Sequence, residues 1–286
     1  MAADSTDQFV KRESAPVRFA RTSPLTFFFL LAYTWSWTIW AIMLTANGSA
    51  AIEASFDFLP LTLFIAGAFG PTVAALTIQW LAHRNLKICP VWTGWRSLIT
   101  GLVLGLAFFF CITVAGPARA TTKAPFAALH WPALLHWSTY GINFSTLLGG
   151  PLNEEPGWRG FALPRLQSRF GAFYASAILA ALWAGWHLPL FLLSGWISAS
   201  PWQFLLILIG ISFLFTAAAN ASRFSVLVAI VLHAFFNTSS AMVNALTHNL
   251  PERSHAMLIY TFCVFGSGLS FGLIALRKSR TVLRQR

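Results

Sequence analysis

The chain has 286 residues, of which 57% are hydrophobic and 9% charged, and it carries a net charge of +11. A soluble domain carries about 25% charged residues, so this composition excludes an ordinary soluble fold. The basic excess does not mark a nucleic-acid binder either. Lys and Arg are not gathered on one face or arm but lie between apolar runs, as in a membrane protein.

Residues 1–24 are polar and contain Lys11, Arg12, Arg18 and Arg21. The apolar run that follows exceeds the roughly 7–15 residues of a signal-peptide core, so it reads as a retained first span. A membrane helix needs about 20 mostly apolar residues. On that rule the chain divides into spans at 25–46, 59–82, 97–116, one crossing within 132–170, then 172–194, 202–220, 225–247 and 256–276. The expected fold is all-α and polytopic, with about eight transmembrane helices forming one domain over 25–276 and a basic tail at 277–286.

The basic residues orient this plan. Alternating the loops puts the four N-terminal residues, Arg84, Lys87, Arg96, Arg159, Arg165, Arg169, Arg223 and the tail on one side. Only Arg119, Lys123 and Arg253 fall on the other. Such a bias marks the cytoplasmic face, so both termini are expected there.

The crossing within 132–170 is the least regular. Its first half carries His136, Tyr140 and Asn143, and Gly149, Gly150, Pro151 and Pro156 follow. Proline removes a helical hydrogen bond and clashes with the preceding turn, and irregular backbone at membrane depth survives only inside protein or beside a water-filled cavity. Glu154 and Glu155, two of the eight acidic residues of the chain, stand in that interruption. Either 132–150 or 151–170 can be the immersed half.

Ionisable groups inside spans are costly and mark functional sites by default. "LWAGWHLPLF" carries His187, and "VLHAFFNTSS" carries His233 and Asn237. His233 and Asn237 are four apart and share a helix face, as do Trp183 and His187. Glu155 and Arg159 have the same spacing. If "QSRFGAFYA" turns a helical hairpin at Gly171, the midpoint between Glu154 and His187 falls at the turn and the two side chains lie at equal depth. His233 sits about ten residues, roughly 15 Å, into its own span. Convergence of Glu154, His187, His233 and Asn237 is then geometrically allowed.

Hydrolysis is the chemistry such a set supports. A glutamate in a poorly solvated pocket serves as a general base on water. Histidine can share the proton or hold the water, and Asn and His donors can stabilise an oxyanion. Alternatively, Glu154, His187 and His233 are three zinc ligands with a fourth position open to water.

Each residue also has a plainer reading. A lone intramembrane histidine often only bonds a neighbouring helix, and Asn237 alone reads as structural. Glu155 can simply pair with Arg159. Arg165 and Arg169 read as topology determinants, and Trp residues near span ends as belt residues. The combination carries the functional reading.

Three motifs in order, EExxxR, an aromatic-xxx-His and HxxxN, resemble the CPBP intramembrane protease family, which includes the type II CAAX prenyl endopeptidases and bacterial Abi-type proteins. The matching residues are Glu154, Glu155 and Arg159, then Trp183 and His187, then His233 and Asn237. The resemblance covers about 130–250. It implies a membrane-embedded endopeptidase in which Glu154 activates water, helped by His187, while His233 and Asn237 stand at the oxyanion. Glu155, Arg159 and Trp183 are supporting residues. Trp183 replaces the Phe usual in the second motif, which bears on pocket shape. Zinc-assisted and metal-free hydrolysis both remain open.

The expected partners are the bilayer and a peptide or membrane-anchored protein substrate, with no nucleic acid. The bacterial character of "EEPGWRGFALPRLQ" points to the bacterial inner membrane. It argues against prenylated substrates and toward peptide maturation, self-immunity or cleavage of membrane-anchored peptides. The chain has no HExxH of zinc site-2 proteases, no rhomboid-type GxSG within a span and no histidine clusters of a desaturase. A non-catalytic binding or immunity protein using the same polar pocket is the rival reading.

Overall fold

The computed structural model describes residues 14–47, 58–88, 92–110, 147–193, 199–247 and 253–284. Among the described residues every regular element is a helix. A short α1 (Ala15–Thr22) precedes α2 (Pro24–Asn47), α3 (Phe58–Ala68), α4 (Gly70–His83) and α5 (Trp95–Phe110). Then come α6 (Pro151–Glu155), a π-helix (Pro156–Ala162), α7 (Leu163–Trp186) and a 3₁₀ turn (Leu188–Leu192). The chain continues through α8 (Pro201–Ala221), α9 (Val226–Thr247) and α10 (Arg253–Arg284).

Five helical stretches are long and apolar enough to cross a membrane: Pro24–Ala46, Pro151–Leu192, Pro201–Ala221, Val226–Val243 and Met257–Ile274. A sixth is the pair Leu59–Ala68 and Gly70–His83, bent by 46°. The chain is an all-α integral membrane protein. Of the eight expected intervals, 25–46, 59–82, 202–220, 225–247 and 256–276 fall on helix, 97–116 does so over its described part to 110, and 172–194 as far as 192. In the eighth, His136, Tyr140 and Asn143 lie outside the described residues, whereas 151–170 is helical.

The bend between α3 and α4 follows from Pro71, which has no N–H for the carbonyl of Gly67 and clashes with it. That carbonyl instead accepts the Ser36 hydroxyl of α2 at 2.7 Å, and the Trp35 indole of α2 donates to the neighbouring Ala66 carbonyl at 2.9 Å. The broken span is thereby stitched to α2 rather than left with orphaned backbone in an apolar setting.

A second break folds the site. Within 163–186, Gly171 takes φ 76° and ψ 165°, outside helical space and easy for glycine alone. Residues 29 apart in one straight helix would be separated by about 43 Å. Yet the Trp183 indole nitrogen lies 2.6 Å from a carboxylate oxygen of Glu154. The chain has doubled back into the hairpin expected from the sequence, with its turn at Gly171.

Close approach elsewhere relies on absent side chains. A Cβ on Gly268 of α10 would collide with the Gly210 backbone of α8, and one on Gly157 with Pro71 of α4. The first contact lets α8 and α10 pack backbone to backbone, the usual route to helix association in lipid. The second seats the glutamate-bearing segment directly against the α4 break.

Candidate active site

Pro151 opens α6, where its missing N–H costs nothing. The first turn is closed by the Asn153 and Glu154 amides on the Gly150 carbonyl, at 3.0 and 2.8 Å. The sequence suggests that Pro156 interrupts helix here. The structure shows otherwise: the backbone stays helical but widens into π geometry over Pro156–Ala162. A segment of this kind absorbs a missing i to i−4 bond without leaving the helix, and it is frequent at functional sites. Thr72 of α4 anchors its entrance, donating to the Asn153 carbonyl at 2.5 Å.

The two glutamates are both buried, 3% and 0% exposed, but in different surroundings. Glu155 Oε1 accepts from Arg159 Nη1 at 3.0 Å and from His233 Nδ1 at 2.8 Å. The Arg159 guanidinium is buried too and lies over the Trp183 ring at 4.1 Å and the Phe215 ring at 4.8 Å. Its Nη2 reaches the Ser212 hydroxyl of α8 at 3.4 Å. Glu155, Arg159 and His233 therefore form a compensated buried network that ties the π-helix to α8 and α9, as buried charges require.

Glu154 has neutral donors instead. Its Oε2 accepts from the Trp158 indole at 3.2 Å and the Trp183 indole at 2.6 Å. Its Oε1 faces Gly150. A methyl group added at Gly150 would sit 3.4 Å from Glu154 Oε1, 3.4 Å from His233 Nε2 and 3.2 Å from Asn237 Nδ2. Three polar atoms from the first and last motifs thus border one point, beside a residue with no side chain.

His187 ends α7. Pro189 stops the helix there, the chain tightens into the 3₁₀ turn, and His187 Nδ1 donates to the Trp183 carbonyl at 2.7 Å. A carbonyl only accepts, so Nδ1 is the donor in this bond. Two side chains of α2, one turn apart, clasp the same helix end: the Tyr33 hydroxyl bonds the Leu182 carbonyl, and the Trp37 indole the Trp186 carbonyl at 2.9 Å. The His187 ring packs edge-on to Trp186 and Phe204, with centroids 4.7 and 5.1 Å away.

The structure therefore gathers Glu154, Glu155, Arg159, Trp183, His233 and Asn237 directly. His187 lies one turn beyond Trp183 and 6.0 Å from it, ring to ring. Several contributors were not singled out from sequence: Trp158, Ser212, Phe215 and Gly150. Trp158 stands four residues after Glu154, the same spacing that flagged Glu155 and Arg159, so an i, i+4 search from Glu154 would have found it. The belt reading of the tryptophans near span ends does not extend to Trp40, Trp158 and Trp186, all 1% exposed or less and packed in the core. Arg165 also does more than mark topology, because it bonds the Gln79 side chain at 3.2 Å and the Phe161 carbonyl at 2.9 Å.

A metal centre calls for Glu154, His187 and His233 around one ion. Among the described residues no group of three or more His, Cys, Asp or Glu side chains is arranged to hold one.

Comparison with known proteins agrees with the motifs. The family model "Type II CAAX prenyl endopeptidase Rce1-like" matches residues 136–239. A protein named CAAX prenyl protease 2 from Methanococcus maripaludis is 30% identical over 119 residues. That alignment covers 36% of this chain and 44% of the relative, so it spans under half the length of the relative it matches. The resemblance read from the three motifs therefore holds: the region containing every candidate site residue matches the Rce1-like family of type II CAAX prenyl endopeptidases.

Proposed function

We propose that this chain is an intramembrane endopeptidase that hydrolyses a peptide bond of a membrane-associated peptide or protein, with Glu154 activating the water. The observation that carries this reading is the meeting of Glu154 Oε1, His233 Nε2 and Asn237 Nδ2 beside Gly150. A base and a side-chain amide donor border one small space, as a hydrolytic site requires.

Glu154 Oε1 takes a proton from water as the water oxygen attacks the scissile carbonyl carbon. The carbonyl oxygen becomes an oxyanion, and Asn237 Nδ2, a donor at any pH, stabilises it. His233 is oriented by Glu155 through Nδ1, and when protonated it adds Nε2–H as a second donor with its charge balanced by that carboxylate. The tetrahedral species collapses as the carbon–nitrogen bond breaks, and the proton held by Glu154 passes to the leaving nitrogen. His187, held by its Nδ1 bond to the Trp183 carbonyl, helps Glu154 by holding the water or sharing its proton. No step is routed through a metal. The setting is the bacterial inner membrane, with both termini cytoplasmic.

The test compares peptide termini in host membranes carrying wild-type protein or Glu154→Gln at equal expression. New termini present only with the wild type are expected. Identical termini alongside an intact wild-type phenotype in the mutant would contradict the protease reading and favour a binding or immunity role for the pocket.

A further inference from the structure

The two oxygens of Glu154 have separate surroundings. Oε2 receives both indole N–H groups, from Trp158 at 3.2 Å and Trp183 at 2.6 Å. Oε1 is the oxygen on the Gly150 side, 3.4 Å from the point where a Cβ on Gly150 would also meet His233 Nε2 and Asn237 Nδ2. We infer that Trp158 and Trp183 are positioning residues that pin Oε2 with paired indole N–H bonds and so present Oε1 as the reacting oxygen.

The inference rests on the protease reading and adds to it the device that aims the base. A carboxylate can rotate about its last bond and exchange its oxygens, since that torsion is broad and twofold. Two donors on one oxygen remove that freedom. Both indoles are themselves held. Trp158 is fully buried and packs edge-on against Phe28 and Trp186, with centroids 5.5 and 5.7 Å away. Trp183 lies under the Arg159 guanidinium and edge-on to His233 at 5.3 Å. The donors come from both limbs of the hairpin, Trp158 four residues after Glu154 and Trp183 twenty-nine after it. Closing the turn at Gly171 thus completes the clamp. An indole is also suited to the task, because it donates a hydrogen bond, brings no charge and cannot compete for the proton.

The test needs a change that removes the N–H and keeps the ring. Replacing Trp158 with 3-benzothienylalanine does this, and Trp158→Phe is the coarser version. The probe is the peptide whose new terminus separates wild type from Glu154→Gln, resynthesised and presented in phosphatidylethanolamine–phosphatidylglycerol vesicles. The expected result is a fall in kcat of about tenfold, the scale of a lost hydrogen bond to a charged group. KM should stay within about twofold, because the loss is confined to the reacting geometry. The thermal midpoint of the benzothienyl protein should match wild type. Wild-type kcat in the benzothienyl protein, while Glu154→Gln is inactive, overturns the clamp and leaves the protease reading standing. A parallel fall in stability and rise in KM reduces Trp158 to a packing residue and overturns it too. If wild type and Glu154→Gln give the same termini, the protease reading fails and the clamp falls with it.

Discussion

Glu154 and Glu155 are neighbours in sequence and both buried, yet the two sides of the site are built on opposite principles. Around Glu155 the partners are a guanidinium and an imidazole, and the network bridges the π-helix, α8 and α9. Around Glu154 the partners are two neutral indoles, with the second oxygen turned toward Gly150. A charge matched by a buried countercharge is fixed in place. Among the described residues the donors to Glu154 are neutral indoles, which hold its orientation without a direct ion pair, as suits a group that must take up and release a proton. The contrast teaches why adjacent carboxylates occur here: one builds the site and the other works in it.

Swapping the amides for the acids breaks the comparison most directly. Glu154→Gln should abolish proteolysis, with rates lowered by at least about a hundredfold as expected for loss of a general base, while the detergent-solubilised protein melts as wild type does. Glu155→Gln should instead act on stability, because it leaves the Arg159 charge buried without its partner. Removing one member of a buried pair costs about 3–5 kcal/mol, readable as a lowered thermal midpoint and poor recovery from membranes.

Smaller changes sharpen the contrast. Gly150→Ala places a methyl group 3.2–3.4 Å from Asn237, Glu154 and His233, and it should lower kcat by roughly tenfold or more while the protein stays folded. Asn237→Asp replaces the amide donor with an acceptor on the oxyanion side. It should cost about a hundredfold in kcat, the scale of one lost oxyanion donor, and Asn237→Gln should cost less if the longer amide still reaches. The smallest effect is expected from a zinc chelator. The proposed mechanism runs on Glu154, His233 and Asn237 alone, so activity in vesicles should survive chelation, and a loss restored by added zinc would show that a metal takes part.

Much of this site was legible because ionisable residues stand out against apolar sequence. Glu154, Glu155, Arg159, His187, His233 and Asn237 were all singled out, and the fourfold spacings predicted which pairs share a face. The hairpin turn at Gly171 was legible by symmetry of position. Trp183 was legible through its motif with His187, but the other tryptophans were not. An indole in or beside an apolar run reads the same whether it faces lipid headgroups or a buried carboxylate, and only the fold distinguishes the exposed Trp95 from the buried Trp158. Backbone devices were equally hidden. Pro71 and Pro156 both remove a helical hydrogen bond, but one produces a 46° bend stitched to α2 and the other a π-helix. Which outcome occurs depends on what packs outside the helix, not on the proline. The role of Gly150 is invisible for the same reason, since its value lies in the side chain it lacks.

The most direct test of the division of labour is a paired measurement on Glu154→Gln and Glu155→Gln: new peptide termini in host membranes and thermal midpoints of the purified proteins. The expected result is a well-folded, inactive Glu154→Gln beside a destabilised Glu155→Gln whose folded fraction still yields the wild-type termini. A stable, inactive Glu155→Gln together with an active Glu154→Gln would reverse the two roles and contradict the assignment.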